Sequence, residues 1–223
     1  MEKLKEVKDP SIKPNQLKVQ VKASGINFAD ILARQGLYQD APPIPCVVGY
    51  EVSGIVIQVG HEVPSLWMGK EVICFTRFGG YADTVYVDLI GVFEKPQGMS
   101  FSKAAAIPVN YLTAYALMVV MGSLKKDETI LIQNAGGGVG LAAIQIAKYL
   151  GAKTIGTASP SKHDRLRSMG LGHAVDYRKS DWDKEILRLT DNKGVDLVID
   201  PLGPTSWKKS YKLLRHCGRL GIF

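Results

Sequence analysis

Six consecutive residues, Ala135–Gly136–Gly137–Gly138–Val139–Gly140, carry the sharpest chemical signal in the sequence. An apolar run of strand length, Thr129–Gln133, precedes them. A helical pattern, Val139–Leu150, follows and closes at Gly151. In that strand–loop–helix setting the A-x-G-x-x-G spacing is the fingerprint of a dinucleotide pyrophosphate site. Gly137 removes a side chain where backbone must approach the pyrophosphate, and Gly140 lets the helix pack closely on its strand. The helix N-terminus offers unpaired N–H groups and a partial positive charge to the phosphates. Ala135, Gly138 and Val139 complete the backbone expected to line the cofactor.

The end of the next strand selects among nicotinamide cofactors. An NAD site usually places Asp or Glu about 20 residues beyond the loop, on the ribose hydroxyls. Here the strand ends Gly156–Thr157–Ala158–Ser159, without an acid, and Ser161 and Lys162 follow. Tyr177 ends the third strand. Lys162 supplies a cation, Ser159 a hydroxyl, and Tyr177 a ring and a hydroxyl for a 2′-phosphate, so NADP(H) is the expected cofactor. Asp164 lies too far into the following helix to take the acidic role and is read as solvent-facing. Lys162 as an ordinary surface lysine remains the competing reading.

The elements that must position these groups follow from the hydrophobic pattern. Leu17–Ala23, Glu51–Val59, Val72–Thr76 and Ala82–Val87 read as short strands between Gly and Pro punctuation, which suggests a compact, barrel-like β domain. Gly54 inside the second strand marks a bulge or a close backbone approach. Ser100 or Ser102 can cap a helix through Ala104–Ala106, and a second helix runs from about Asn110 to Met121, stopping at Gly122. Strands at Thr129–Gln133, Lys153–Thr157, Ala174–Val175, Val195–Ile199 and Arg219–Phe223 alternate with helices at Val139–Leu150, Ser161–Met169, Asp181–Thr190 and Thr205–Leu214. Asp181 is a candidate cap for the third of these helices. Regular alternation with apolar strands means a parallel sheet covered on both faces. The division expected is 1–108 and 109–223.

Composition narrows the class. The 223 residues are 46% hydrophobic and 22% charged, which excludes global disorder. The net charge of +7 is spread thinly, apart from Lys208, Lys209, Lys212 and Arg215, which have no acid beside them in sequence. A solvated helix face is the plain reading of that cluster, and a contact with acidic lipid or a partner is the alternative. No basic–aromatic constellation points to nucleic acid. Cys46, Cys74 and Cys217 show no C-x-x-C pairing, which argues against a disulfide framework and fits a reducing cytosol. No uninterrupted apolar run reaches the ~18–20 residues a membrane span needs. A cytosolic protein, at most peripheral to a membrane, is expected. His61, His163, His173 and His216 lack ligand spacing, so no metal site is expected.

The run Asp127–Glu128–x–x–Leu131–x–x–x–Ala135–Gly136–Gly137–Gly138–x–Gly140–x4–Gln145–x–x–Lys148 resembles the signature of quinone oxidoreductases and ζ-crystallins, zinc-free members of the medium-chain dehydrogenase/reductase superfamily. SGINFAD at Ser24–Asp30, GYEVSG at Gly49–Gly54, FGGYAD at Phe78–Asp83 and NYLTAY at Asn110–Tyr115 agree with it. AAAIPVNYLTAY, AGGGVG and GTASPSKH resemble the VAT-1-like branch in particular. The resemblance spans essentially the whole chain. It implies an α/β protein with an N-terminal GroES-like β-barrel domain and a doubly wound Rossmann domain, incomplete at the C-terminus. It also implies truncation at both ends, native homodimers, and a substrate cleft between the domains.

The same resemblance assigns the catalytic side chains. Zinc-dependent relatives carry Cys where this chain has Asn27 and His where it has Tyr50, and neither replacement is a normal zinc ligand. A carbonyl must then be polarised by hydrogen-bond donors aimed at its developing negative charge. Asn27 and Tyr38 are expected to line that pocket, with Tyr50 joining from the lost zinc position and Tyr115 touching the cofactor. The resemblance thus implies hydride transfer from NADPH to a quinone or an α,β-unsaturated carbonyl. A non-catalytic NADPH-binding adaptor or sensor is the alternative. Simpler roles stay open: Asn27 as a helix cap, Tyr38 as loop packing, Tyr50 and Tyr115 as core, Asp30 as structural.

Overall fold

A computed structural model of the chain describes residues 5–223. They form two compact units, the first ending at Val109 and the second running Asn110–Phe223. The first is built on β1 (Gln16–Ser24), α1 (Phe28–Arg34), β2 (Glu51–Val59), β3 (Glu71–Phe75), β4 (Thr84–Asp88), β5 (Val92–Glu94) and α2 (Phe101–Ala105). Its strands make one antiparallel sheet in the order β4-β1-β2-β3-β5. Period-two alternation drives it: Leu17, Val19, Val52, Val56, Val72, Cys74, Val85 and Val87 point to one core, while Glu51, Ser53 and Ile73 between them are buried on the other face. The short strand β5 went unread in the sequence, because three residues carry no periodicity.

β1 is irregular against β2, with register breaks at Lys18/Val19 and Val21/Ala23. Gly54 sits opposite Val21, and a Cβ there would stand 2.1 Å from the Gln20 carbonyl oxygen. Backbone approaches backbone at this point, as the glycine in the strand suggested.

The second unit contains α3 from Asn110 onward (Pro108–Tyr115), a π-helical turn Ala116–Met121, β6 (Thr129–Ile132), α4 (Gly138–Leu150), β7 (Lys153–Ala158), α5 (His163–Ser168), β8 (His173–Asp176), α6 (Trp182–Leu189), β9 (Val195–Asp200), α7 (Pro204–Lys212) and β10 (Leu214–Ile222). The parallel sheet runs β10-β9-β6-β7-β8. Alternate residues face opposite cores. Ile130, Ile132, Leu197 and Ile199 pack with Ala114, Met118, Ile144 and Leu166, while Leu131, Ile155, Val175 and Val198 pack with Trp182, Ile186 and Leu213. That is the doubly wound sheet expected from the continuous apolar strands. The chain steps outward from β6 to β7 and β8, then returns to β9 on the other side of β6. The switch point, where such sheets bind ligands, is therefore the crevice at the carboxyl ends of β6 and β9.

Several expectations need correcting. α7 ends at Lys212, and β10 begins at Leu214, well before Arg219, with a break in pairing to β9 between them. Ser100 caps α2, accepting from the Lys103 N–H, but the Asp181 side chain does not cap α6. The basic cluster is not isolated from acids: Arg215 pairs with Asp196, and Lys209 lies 4.0 Å from Asp183 and over the Trp182 ring. Phe101–Met121, a 21-residue helical stretch, is long and apolar enough to cross a membrane by length and composition, so the expectation drawn from uninterrupted runs was too simple. Pro108 divides the stretch, and Ala114, Leu117 and Met118 are core residues of the second unit.

Candidate functional site

In the second unit β6 delivers the chain to Gln133 at the sheet's carboxyl edge. Asn134 then takes a left-handed conformation (φ 52°) and turns it into the glycine loop. The Asn134 carbonyl accepts from the Gly137 N–H at 2.9 Å, closing the turn. Gly140 is fixed by the backbone against it, while Gly137 and Gly138 face side-chain ends. A Cβ on Gly137 would stand 2.8 Å from the Asn134 amide nitrogen; on Gly140, 2.6 Å from the Asn134 carbonyl oxygen. On Gly138 it would stand 2.2 Å from Asn110 Oδ1, a contact with α3 that the sequence reading missed. Ala135 is buried, while Gly138 is exposed and Gly136, Gly137 and Val139 are half-buried, so the loop presents backbone outward at the start of α4.

Lys162 lies across this loop. Its Cδ is 2.7 Å and its Nζ 3.3 Å from the place a Gly136 Cβ would occupy. Pro160–Lys162 forms a single tight turn after β7, which folds Lys162 back over the loop. Ser159, half-buried at the head of that turn, has its hydroxyl 3.3 Å from the Ser161 hydroxyl. Ala158 pairs with Asp176 across β7 and β8, so Ser159 and Tyr177 leave neighbouring strands side by side. The structure thus gathers the glycine loop, Ser159, Lys162 and the exposed ring of Tyr177 at one edge of the sheet.

It also brings an acid there that the sequence reading did not weigh. Asp176 ends β8, and Arg178 engages it from two residues on: Nε donates to Oδ1 at 3.0 Å and Nη2 to Oδ2 at 3.3 Å. The guanidinium holds the Asp176 carboxyl below its ordinary range. Asp176 belongs to the third strand, not to the second-strand position that reads ribose hydroxyls, and its charge is matched by Arg178.

In the first unit a buried acid organises the N-terminus of α1. Glu51 is fully buried. Its Oε1 accepts from Asn27 Nδ2 at 2.9 Å and its Oε2 from the Val109 N–H at 2.8 Å. Burial pushes its carboxyl up, against the pull of these two donors. A side chain on Gly25 would overlap Glu51, so that glycine is there for room. Asp30 is structural as well: it accepts from the N–H groups of Gly49 and Asn27 and from the Tyr81 hydroxyl. Asn27 is half-buried, and the second hydrogen on its amide nitrogen remains to donate. Tyr50 is 8% exposed and packed among Tyr38, Phe75 and Phe78, edge-on to Tyr38 at 6.1 Å. Burial first, then the Tyr38 hydroxyl, push its phenol well above the ordinary value, so it stays protonated at neutral pH. Tyr115, on α3, is half exposed and so is not core.

Among the described residues no group of three His, Cys, Asp or Glu side chains is placed to hold a metal ion. Asn27, Tyr50 and an already engaged Glu51 do not make a zinc donor set. For a dinucleotide the fit is better: a glycine loop that presents backbone outward, with Gly140 packed against the turn, a helix N-terminus behind it, and a lysine laid over it.

A curled antiparallel sheet followed by a doubly wound parallel sheet with a glycine loop at its switch point defines a dehydrogenase-type, two-unit α/β protein. The family models agree: "Alcohol dehydrogenase GroES-like domain" matches residues 13–116 and "Zinc-binding dehydrogenase" matches residues 138–223. The synaptic vesicle membrane protein VAT-1 homolog of Danio rerio is 42% identical over 95% of this chain and 44% of its own length; the Homo sapiens homolog is 41% identical over 95% and 54%. The chain therefore spans about half the length of the curated relatives it matches. Among solved structures, CurK enoyl reductase superposes with a TM-score of 0.93 at 33% identity, over 98% of this chain and 68% of that one. Escherichia coli quinone oxidoreductase complexed with NADPH gives 0.89 at 34% identity, over 96% and 66%. The chain belongs to the medium-chain dehydrogenase/reductase superfamily, in its quinone oxidoreductase-type, VAT-1-like branch.

Proposed function

We propose that this chain is the core of a zinc-independent, NADPH-dependent oxidoreductase that reduces a quinone or an α,β-unsaturated carbonyl. The observation that carries the reading is Lys162 lying over Gly136 of the pyrophosphate loop, beside a second strand that ends without an acid. Gly137, Gly138, Val139 and Gly140 would take the pyrophosphate on backbone N–H groups, with Ala135 beneath them and Tyr115 alongside. Ser159, Lys162 and Tyr177 would take the 2′-phosphate. NADPH, when bound, supplies the hydride and both electrons.

The protein's own task is then to polarise the acceptor carbonyl and manage one proton. Asn27 donates through its remaining amide hydrogen, with Glu51 holding the other. Tyr50 is held as the neutral phenol, with Tyr38 against it, and can donate to an oxygen that gains negative charge. The net conversion takes one hydride and one proton and gives hydroquinone or saturated carbonyl. We place the protein in the cytosol, and the membrane-protein names of the VAT-1 relatives are compatible with peripheral association.

The test is turnover. Purified protein should oxidise NADPH when given phenanthrenequinone or a short enone, and should use NADH much less well. Saturable NADPH binding without oxidation by any acceptor in a broad panel would replace the enzyme with the adaptor reading. Absence of NADPH binding would defeat both.

A further inference from the structure

We propose that Asp200 is a positioning residue for the cofactor: it anchors a buried hydrogen-bond relay, through Ser210, Gln133 and Thr157, that sets the phosphate loop at Asn134. This rests on the dinucleotide reading of the loop and deepens it. The relay lies under the switch point. The Asn134 N–H donates to Thr157 Oγ1 at 3.2 Å. Thr157 Oγ1 donates to Gln133 Oε1 at 2.6 Å. Gln133 Nε2 donates to Ser210 Oγ at 3.1 Å, and Ser210 Oγ donates to Asp200 Oδ2 at 2.6 Å. Thr157, Asp200 and Ser210 are fully buried and Gln133 is 2% exposed.

The chain of donors has one direction, fixed at both ends. A backbone N–H can only donate, so the Thr157 hydroxyl, having accepted it, must send its own hydrogen onward. That requirement passes along Gln133 and Ser210 until it reaches a group that only accepts. Asp200 is that terminus. It also accepts from the Leu202 N–H at 2.8 Å and from the Ser206 hydroxyl at 2.9 and 2.8 Å, with no cation among these partners. Among the described residues Trp207 Nε1 is the buried side-chain polar atom without a partner, so the relay itself is fully satisfied. A satisfied buried network specifies one arrangement of its members. The member at its far end is the left-handed residue whose carbonyl closes the turn at Gly137 and against which Gly137 and Gly140 pack. Three strand ends, from β6, β7 and β9, are thereby tied to the position of the loop.

The experiment uses Thr157→Val, nearly isosteric but unable to accept from Asn134, and Ser210→Ala, which cuts the relay far from the loop. Thr157→Ser is the conservative control. NADPH binding is followed by nucleotide fluorescence. Binding of adenosine 2′-monophosphate, which has no pyrophosphate, is followed by calorimetry. Both disrupting variants should bind NADPH about tenfold more weakly, equivalent to about 1.4 kcal/mol, and Thr157→Ser should bind it as wild type does. Affinity for the 2′-monophosphate should stay within about twofold in all three. NADPH affinity unchanged in folded Thr157→Val and Ser210→Ala overturns the inference, and so does an equal loss for both ligands, which would be mere destabilisation. If wild-type protein binds neither ligand, the dinucleotide reading fails and takes the relay's role with it. If it binds both and the variants match it, the relay fails alone.

Discussion

Lys162 and Arg178 do different electrostatic work within one corner. Lys162 is exposed and folded over the glycine loop, where it would add positive charge beside the phosphates of the proposed cofactor. Arg178 neutralises Asp176, a carboxylate that would otherwise repel a 2′-phosphate placed near Tyr177. Charge reversal at the first site and exposure of the acid at the second should therefore have the same selectivity. Lys162→Glu is expected to cost NADPH binding at least about tenfold while NADH changes little, and Arg178→Ala to show a smaller loss of the same sign. Titrations of both nucleotides against each variant decide it; parallel losses for NADPH and NADH would remove the 2′-phosphate from this corner. Lys162, Ser159 and Tyr177 were legible because strand ends and loop spacing locate them on the chain. Asp176 and its partner were not, since two residues of opposite charge two positions apart look like ordinary surface until the strand end places them beside Tyr177.

At the scale of elements, glycine positions report where backbone meets backbone. Gly54 joins β2 to an irregular stretch of β1, and a methyl group there would collide with the Gln20 carbonyl, which cannot rotate away. Gly54→Ala should destabilise the first unit by about 1–3 kcal/mol, the range of overpacking in a tight interior. Urea unfolding followed at Trp67, the tryptophan of that unit, measures this, and an unchanged midpoint would mean that β1 moves to accommodate the methyl group. The strands and helices of both sheets were readable because each has apolar residues on the period of its own geometry. What the sequence hid were features with no period. β5 is too short to alternate, and β10 starts early with a gap in its pairing. The buried polar groups Gln133, Thr157, Asp200 and Ser210 come from four separate elements, and only the folded sheet brings them within hydrogen-bond reach. Asn27 was within reach of sequence reasoning, but its direct bond to the buried Glu51 was not.

The two units should answer pH in opposite senses, because among the described residues Glu51 in the first is shifted up and Glu128 in the second is shifted down. In the second unit Glu128, just before β6, receives the Arg219 guanidinium from β10 as a fork, at 3.0 and 2.6 Å, while Arg219 Nε donates to the Gly122 carbonyl at 2.8 Å. The guanidinium holds the Glu128 carboxyl below its ordinary value against the opposing effect of burial. A carboxyl depressed by folding stabilises above its unfolded value and loses that contribution as pH falls through the folded one. The second unit should therefore weaken as pH drops below about 4.5. In the first unit Glu51 is shifted upward by burial, so its contribution is present below about 4.5 and is lost as pH rises through the folded value. Arg219→Ala should cost the second unit about 1 kcal/mol at neutral pH, a value discounted for the partial exposure of the pair, and should flatten its acid limb. Trp67→Phe leaves Trp182 and Trp207 as reporters of the second unit, and the double Phe replacement of those two leaves Trp67 for the first. Unfolding of the second unit ahead of the first on acidification, and a shallower slope in Arg219→Ala, are the expected results. A first unit that loses stability in acid as steeply as the second would show that other carboxylates, not these two, govern the response.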